Sequence, residues 1–372
     1  MEKKIVFCVS NDLNNDQRMI RICSSLSAEG YKVALVGRLL PRSLSVTEKN
    51  YEQIRLPCFF TRGKIFYLEF NLKLFFFLMR RKTDAICAVD LDTILPVFLA
   101  SKFRNKICMY DAHEYFTEVP EVVRRPFVKK LWEALASAVV PKIKHCYTVG
   151  FSLANEMTRR YNVEFEVIRN VSGRKKANVG ISVPHVKQPF LLYQGAVNEG
   201  RGLHLAIEAM RYIEGYTLVL AGEGDLLKEL QTLCKDMGLD DKVQFLGKIS
   251  PEQLSVLTPQ AALGIHLLEN KGLSYYYSLA NRTFDYMEAG VPALHPDFPE
   301  YRILIKNYAI GTLLKSYDPE QIAAQIVKML SDRKYYDFMK SECERAFVEF
   351  CWENEEQKLI ELYRQFFSGK GH

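Results

Sequence analysis

The chain has 372 residues, 48% of them hydrophobic and 25% charged. These are ordinary globular values that exclude a disordered or fibrous protein, at a length that asks for two domains of ~100–200 residues each. The formal net charge of +6 is uneven: residues 1–170 carry 27 basic and 18 acidic side chains, a net +9, which leaves −3 for residues 171–372.

In chain order, a short apolar run, a turn and a helical pattern recur. Met1-Glu2-Lys3-Lys4 leads straight into Ile5–Val9, which reads as a strand start rather than a secretory leader. An amphipathic stretch from Gln17 to Glu29 is a helix that Gly30 ends, and Tyr31–Val36 is the next strand. The run Ile65–Met79 is apolar and flanked by Arg62, Lys64 and Arg80-Arg81-Lys82. It is too short to span a membrane and reads either as an interfacial helix or as a core helix, and the core is preferred because the well-formed strand Asp84–Val89 follows. Lys106–Asp111 and His145–Val149 continue the series. Alternating strands and helices mean βαβ units and a parallel sheet.

The alternation pauses at Val171–Lys187, a basic stretch broken by Gly and Pro that suits a linker. It then restarts with strands at Phe190–Gln194, Thr217–Ala221, Val243–Leu246, Leu263–Leu268 and Pro292–His295. Helices are expected at Leu203–Tyr212, Leu226–Met237, Pro251–Leu257 and Asn281–Ala289, and in a tail Pro319–Phe367 bent near Cys351-Trp352. The reading is α/β, with two Rossmann-like doubly wound domains facing each other across a cleft. Residues 1–172 form one and 187–351 the other, with a terminal helix 352–368 packing back on the first. Ligands in such folds lie at the carboxyl ends of strands.

Nine scattered cysteines, odd in number and without C-x-x-C, point to a reducing, cytoplasmic setting with no zinc site and no disulfide framework. No recognisable nucleic-acid-binding motif accompanies the basic clusters, so they read either as a surface for an anionic substrate or partner or as solvated helix faces.

Three elements of the second half carry chemistry. Gln194-Gly195-Ala-Val-Asn-Glu-Gly200-Arg201-Gly202 is a Gly-rich turn between strand and helix, where free N–H groups and a forked cation can meet a phosphate. It is not a Walker motif. Ala221-Gly222-Glu223-Gly224-Asp225 ends the next strand, with Asp225 a good helix N-cap, and taken alone it reads as structural. Ser278-Leu-Ala-Asn281-Arg282-Thr-Phe-Asp285 enters a helix, with Arg282 and Asp285 on one face. That pair reads either as a site for an anion and a ribose diol or as a plain surface ion pair.

Order and spacing together resemble the family 4 retaining glycosyltransferases (glycosyl transferases group 1). Asn11-Asp12-Leu13-x-x-Asp16-x-Arg18, Asp90-Leu-Asp92, Tyr110-Asp-Ala-His113 and Ile168-Arg169-Asn170 extend the likeness through the first half. The resemblance implies the GT-B fold, retention at the anomeric carbon, and a nucleotide diphosphate sugar as donor. No metal or other cofactor is implied, and the acceptor would be a glycan or a lipid-linked molecule. His113, Arg201 and Arg282 take the catalytic places. Gly195, Gly202, Glu223, Asn281, Arg282 and Asp285 take donor-binding ones. Asp16, Arg18, Asp90 and Asp92 are acceptor-side candidates, with helix capping the plainer reading of Asp16 and Asp92. Ala196 stands where many relatives carry arginine, and Tyr277 where they carry the first glutamate of E-x7-E. A non-catalytic sugar-nucleotide or glycan-binding protein and a sugar-nucleotide epimerase remain the rivals. The basic front half makes peripheral contact with an anionic membrane, at the inner face of the plasma membrane, an expectation as well.

Overall fold

The computed structural model describes residues 2–14, 16–41, 43–61, 63–173 and 180–368. The chain divides into two compact units. One runs to Asn170 and takes the chain back from Glu355; the other is Val171–Asn354. Of the basic stretch read as a linker, residues 174–179 lie outside the described residues.

The first unit is built on seven strands: β1 (Lys4–Cys8), β2 (Lys32–Leu39), β3 (Glu52–Pro57), β4 (Ala85–Val89), β5 (Ile107–Ala112), β6 (His145–Thr148) and β7 (Phe165–Val167). Their order is β3-β2-β1-β4-β5-β6-β7, with every neighbour parallel. Ile5 stands beside Val33 on one side and Ala85 on the other. The middle strands read as unbroken apolar runs because both faces of a parallel sheet are covered. β4, Ala-Ile-Cys-Ala-Val, is buried at every position. The edge strand β3, Glu-Gln-Ile-Arg-Leu-Pro, is only half buried, which is why its polar sequence carried no strand signal, and Pro57 is tolerated at its end.

The second unit has β8 (Phe190–Gln194), β9 (Thr217–Ala221), β10 (Val243–Gly247), β11 (Leu263–Ile265), β12 (Ala293–His295) and β13 (Gly311–Leu313), in the order β10-β9-β8-β11-β12-β13. Alternation splits its core in two. Leu191, Tyr193, Leu218 and Leu220 pack with Ile207, Leu230 and Ile322 on one face. Phe190, Leu192, Val219 and Ala221 pack with Leu257, Tyr286 and Val291 on the other. The helix Pro299–Asn307 and strand β13, absent from the sequence reading, extend this sheet.

Two expectations change. The helix over the apolar run extends from Gly63 to Arg80 and is core on one side only: Phe66, Phe70, Leu74 and Leu78 are buried, whereas Ile65, Leu68, Leu72 and Phe76 are exposed. The tail has two breaks rather than one bend, giving helices Pro319–Ser331, Arg333–Glu349 and Trp352–Ser368. Asp332 makes the first break by accepting the Tyr335 N–H as a new N-cap. The last helix closes the first unit. The Tyr363 and Tyr147 hydroxyls hydrogen-bond at 2.9 Å, Tyr363 packs on Phe7, and buried Glu355 pairs with Arg169 at 3.1 Å.

Both sheets reverse strand order once, at β1/β4 and at β8/β11. Crevices at the carboxyl ends of strands open where the order reverses, and the residues singled out from sequence follow these strands.

Candidate donor and acceptor sites

In the second unit, β8 ends in Gly195 with φ 132°, a conformation that favours glycine. A Cβ there would stand 2.9 Å from Nη2 of Arg282. The glycine therefore makes room for the guanidinium, bringing together two residues 87 positions apart. Arg282 lies 4.3 Å over the Tyr193 ring and is 8% exposed, and its Nη1 has no hydrogen-bond partner among the described residues. It opens the helix Asn281–Glu288, whose N-cap is Ala280, so no side chain caps that terminus. A helix start without a side-chain cap and a buried cation thus stand together in an anion-receptive corner.

Arg201 lies 4.9 Å over the Tyr275 ring, with a buried Nε that has no hydrogen-bond partner among the described residues. Gly202 is required by packing, since a Cβ would fall 2.1 Å from the Leu267 carbonyl oxygen. Asn281 is exposed. Asp285 is bound on both oxygens, by the Ser172 hydroxyl and the Gln194 amide at 3.0 Å each. Glu223 is exposed, and its carbonyl receives the Val197 N–H at 2.9 Å. Asp225 is not the expected N-cap: the following helix starts from Leu226, and the Asp225 N–H donates instead to the Asn198 side chain.

Sequence reasoning missed a polar cluster beneath this corner. His266 follows β11 and His295 ends β12; each is 1% exposed, and neither ring nitrogen of either has a hydrogen-bond partner among the described residues. Tyr301 stacks on His295 at 5.5 Å and meets His266 edge-on at 5.2 Å, and its hydroxyl receives the Ala280 N–H. Burial pushes both imidazoles down, His295 to about 3. For His266 the nearby Arg282, His295 and Arg201 push further in the same direction. Both rings are neutral, and each keeps one donor and one acceptor.

In the first unit, β5 delivers Asp111 and His113. Arg18 donates from Nε (3.3 Å) and Nη2 (2.8 Å) to the two oxygens of Asp111, and from Nη1 to the Ile168 carbonyl (2.7 Å). It is 2% exposed, so the predicted acceptor-side Arg18 is instead an internal brace. Asp111, missed from sequence, is fully buried and also meets His113 Nε2 at 3.0 Å. Burial opposes its charge, but Arg18 and then His113 outweigh it and hold the carboxyl at about 2. The His113 cation is likewise opposed by burial and favoured by Asp111 and Asp90, which carry it to about 9.

Asp90 accepts the His113 backbone N–H at 2.8 Å, and its other oxygen is 3.9 Å from Nδ1. Burial raises its pKa against the pull of His113. Asp92 accepts the Ser10 hydroxyl at 2.5 Å, and burial lifts it to about 6. Asp16 caps the helix Gln17–Ala28 through the Met19 N–H, the plainer of its two readings.

Residues 175–345 match the family described as glycosyl transferases group 1. The second unit is a glycosyl transferases group 1 domain. The chain is 24% identical over 212 residues to the O-antigen chain mannosyltransferase RfbU of Salmonella typhimurium, covering 55% of this chain and 57% of that one. It spans about half the length of the curated relatives it matches. Among solved structures, sucrose-phosphate synthase from Thermosynechococcus elongatus superposes with TM-score 0.79 at 18% identity, over 99% of this chain and 100% of that one. Anabaena HepE, in complex with UDP and glucose, superposes with TM-score 0.74 at 14% identity, over 98% and 100%. The fold is GT-B. In the glycosyl transferases group 1 domain the cationic corner stands at the β8/β11 switch, and His266 follows the second strand of that pair. A histidine closing an apolar strand was the one available sign of the cluster, and it also fits a satisfied core histidine.

Proposed function

We propose that the chain is a retaining glycosyltransferase that moves a sugar from a nucleotide diphosphate sugar to a glycan or lipid-linked acceptor in polysaccharide biosynthesis. The observation that carries this reading is Arg282, buried beside Gly195 with an unpartnered Nη1 at an uncapped helix start. The solved relative HepE holds UDP and glucose, and the curated relative RfbU is named for mannosyl transfer. Both support a nucleotide sugar as donor.

Departure of the nucleoside diphosphate builds charge on its outer phosphate. Arg282, Arg201 and the helix N–H groups are preorganised donors for that charge, so the proposed reaction needs no divalent metal. His113, kept cationic at neutral pH by Asp111, donates a hydrogen bond rather than taking a proton. The basic first unit takes the acceptor and any contact with an anionic membrane.

The test is a transfer assay over a panel of nucleotide sugars, with and without chelator, with the product anomer read by NMR. Expected are chelator-insensitive transfer and retained configuration. Inverted product, or no binding of any nucleoside diphosphate by titration calorimetry, would overturn the proposal. Asp285, occupied on both oxygens by Ser172 and Gln194, and Tyr277 in place of a glutamate favour one rival, a non-catalytic sugar-nucleotide binder. Donor binding without turnover would establish that rival.

A further inference from the structure

The helix Gly63–Arg80 is apolar on two sides. One side is core; on the other, Ile65, Leu68, Leu72 and Phe76 are 57%, 63%, 51% and 54% exposed. Their spacing of three, four and four residues makes a single stripe about 16 Å long. Such a stripe ordinarily faces protein or lipid.

The helix ends at a groove of about 810 Å³. The groove lies by the amino ends of β1 and β2, the opposite end of the sheet from Asp90 and His113. Arg80, Arg81 and Lys82 line it together with Lys4, Lys32 and Lys49. Its two carboxylates are already paired, Glu2 with Lys32 at 2.6 Å and Glu52 with Arg81. Lys4, Lys49, Arg80 and Lys82 have no carboxylate partner among the described residues. The Arg80 guanidinium lies 6.0 Å over the Phe76 ring, so the groove and the stripe form one continuous face.

We propose that the first unit docks on an anionic lipid bilayer through this face, with the stripe among the outer acyl segments and the groove on lipid phosphates. The pairing of the two features selects the occupant. An apolar helix side with basic residues at its end is what an interfacial helix presents to anionic lipid. A second copy meeting this face about a two-fold axis would bring the same four unpaired cations against themselves. The inference names the partner of the first unit and rests on the proposed function only for what the docking serves, presentation of a lipid-linked acceptor.

The test is flotation of the full chain with phosphatidylcholine vesicles, with and without phosphatidylglycerol, at low and high salt. Binding is expected only with phosphatidylglycerol. It should weaken at least ~tenfold in Arg80→Glu/Lys82→Glu, and also fall in Leu68→Ser/Leu72→Ser/Phe76→Ser. All of these positions are exposed, and circular dichroism melting should match the parent. No flotation with phosphatidylglycerol vesicles would overturn the proposal. So would equal flotation of the stripe variant, or a stripe variant that converts a dimer to a monomer by light scattering. Nucleoside diphosphate titration of the same proteins separates the readings: lipid binding without nucleotide binding refutes the transferase and keeps the docking, and the converse refutes only the docking.

Discussion

Arg18 braces the first unit, and its removal has a calculable consequence. The side chain makes three hydrogen bonds, two to Asp111 and one to the Ile168 carbonyl, in a place with almost no water. Arg18→Met keeps most of the volume and removes all three. Asp111, wholly buried, is left with His113 as its one strong counter-charge. Taking one partner from a buried ion pair costs ~3–5 kcal/mol, whereas replacing both by apolar groups is often close to neutral. The double variant Arg18→Met/Asp111→Leu should therefore recover much of what the single variant loses, with a coupling energy of ~1–3 kcal/mol. Urea unfolding measures this in a Trp352→Phe background. There Trp132, in the helix Pro126–Val139, is the remaining tryptophan and reports the first unit alone, which matters because two units need not unfold as one. A single variant within ~0.5 kcal/mol of the parent, or an additive cycle, would refute the reasoning.

Further outcomes are expected. The His113 cation is complete below the ordinary histidine range and is lost as pH rises through about 9; transfer should fall across that limb, and His113→Gln should lower the rate and abolish the limb. Asp111→Asn should bring the His113 titration, followed by NMR, back toward ~6.5. Arg201→Ala should weaken nucleoside diphosphate binding about tenfold, by loss of one charged donor, while the thermal midpoint barely moves; an unchanged titration counts against the donor site. His295→Phe keeps the ring stacked on Tyr301 and removes two buried nitrogens that have no partner. Its thermal midpoint without ligand should equal or exceed the parent's, while donor affinity falls, and a clear loss of stability would mean that the nitrogens serve the fold.

The repeating pattern of the fold could be read from sequence because the central strands β1, β4, β8 and β9 are sealed on both faces and write themselves as apolar runs. The edges could not be read. β3 is half exposed and polar, and β7 and β13 are three residues each, too short to leave a pattern. The site shows the same division. Gly195 and Arg201 stand in a recognisable loop, His113 stands in another, and Arg282 stands in the first turn of a helix with a recognisable start. Arg18 reads from the resemblance as an acceptor-side cation, yet it lies four residues before Ile22 on the inward stripe that also carries Ser25, and that spacing was the sign of its burial. Asp111 had no such sign, because a carboxylate at a strand end looks alike whether water or an arginine 93 residues away satisfies it.

The missed residues share a cause. Asp111, His266 and His295 acquire their properties from neighbours that the sheet order brings in, not from adjacent sequence. His266 and His295 meet because β11 and β12 are paired, with Ile265 beside Leu294. Arg282 reaches Gly195 because glycine leaves open the volume that a Cβ would occupy. A neutral imidazole pair beneath a cation is costly unless something polar enters. Six atoms there have no hydrogen-bond partner among the described residues: four ring nitrogens, Arg282 Nη1 and Thr283 Oγ1. Leaving so many buried polar atoms empty costs ~1–3 kcal/mol each. A ligand that supplies their bonds recovers that energy on binding, which ties the affinity of this corner to the instability of its unliganded form. Stabilisation by a nucleotide sugar should accordingly exceed stabilisation by inorganic pyrophosphate at equal saturation. Equal shifts in thermal midpoint would mean that the histidine pair takes no part in holding the donor.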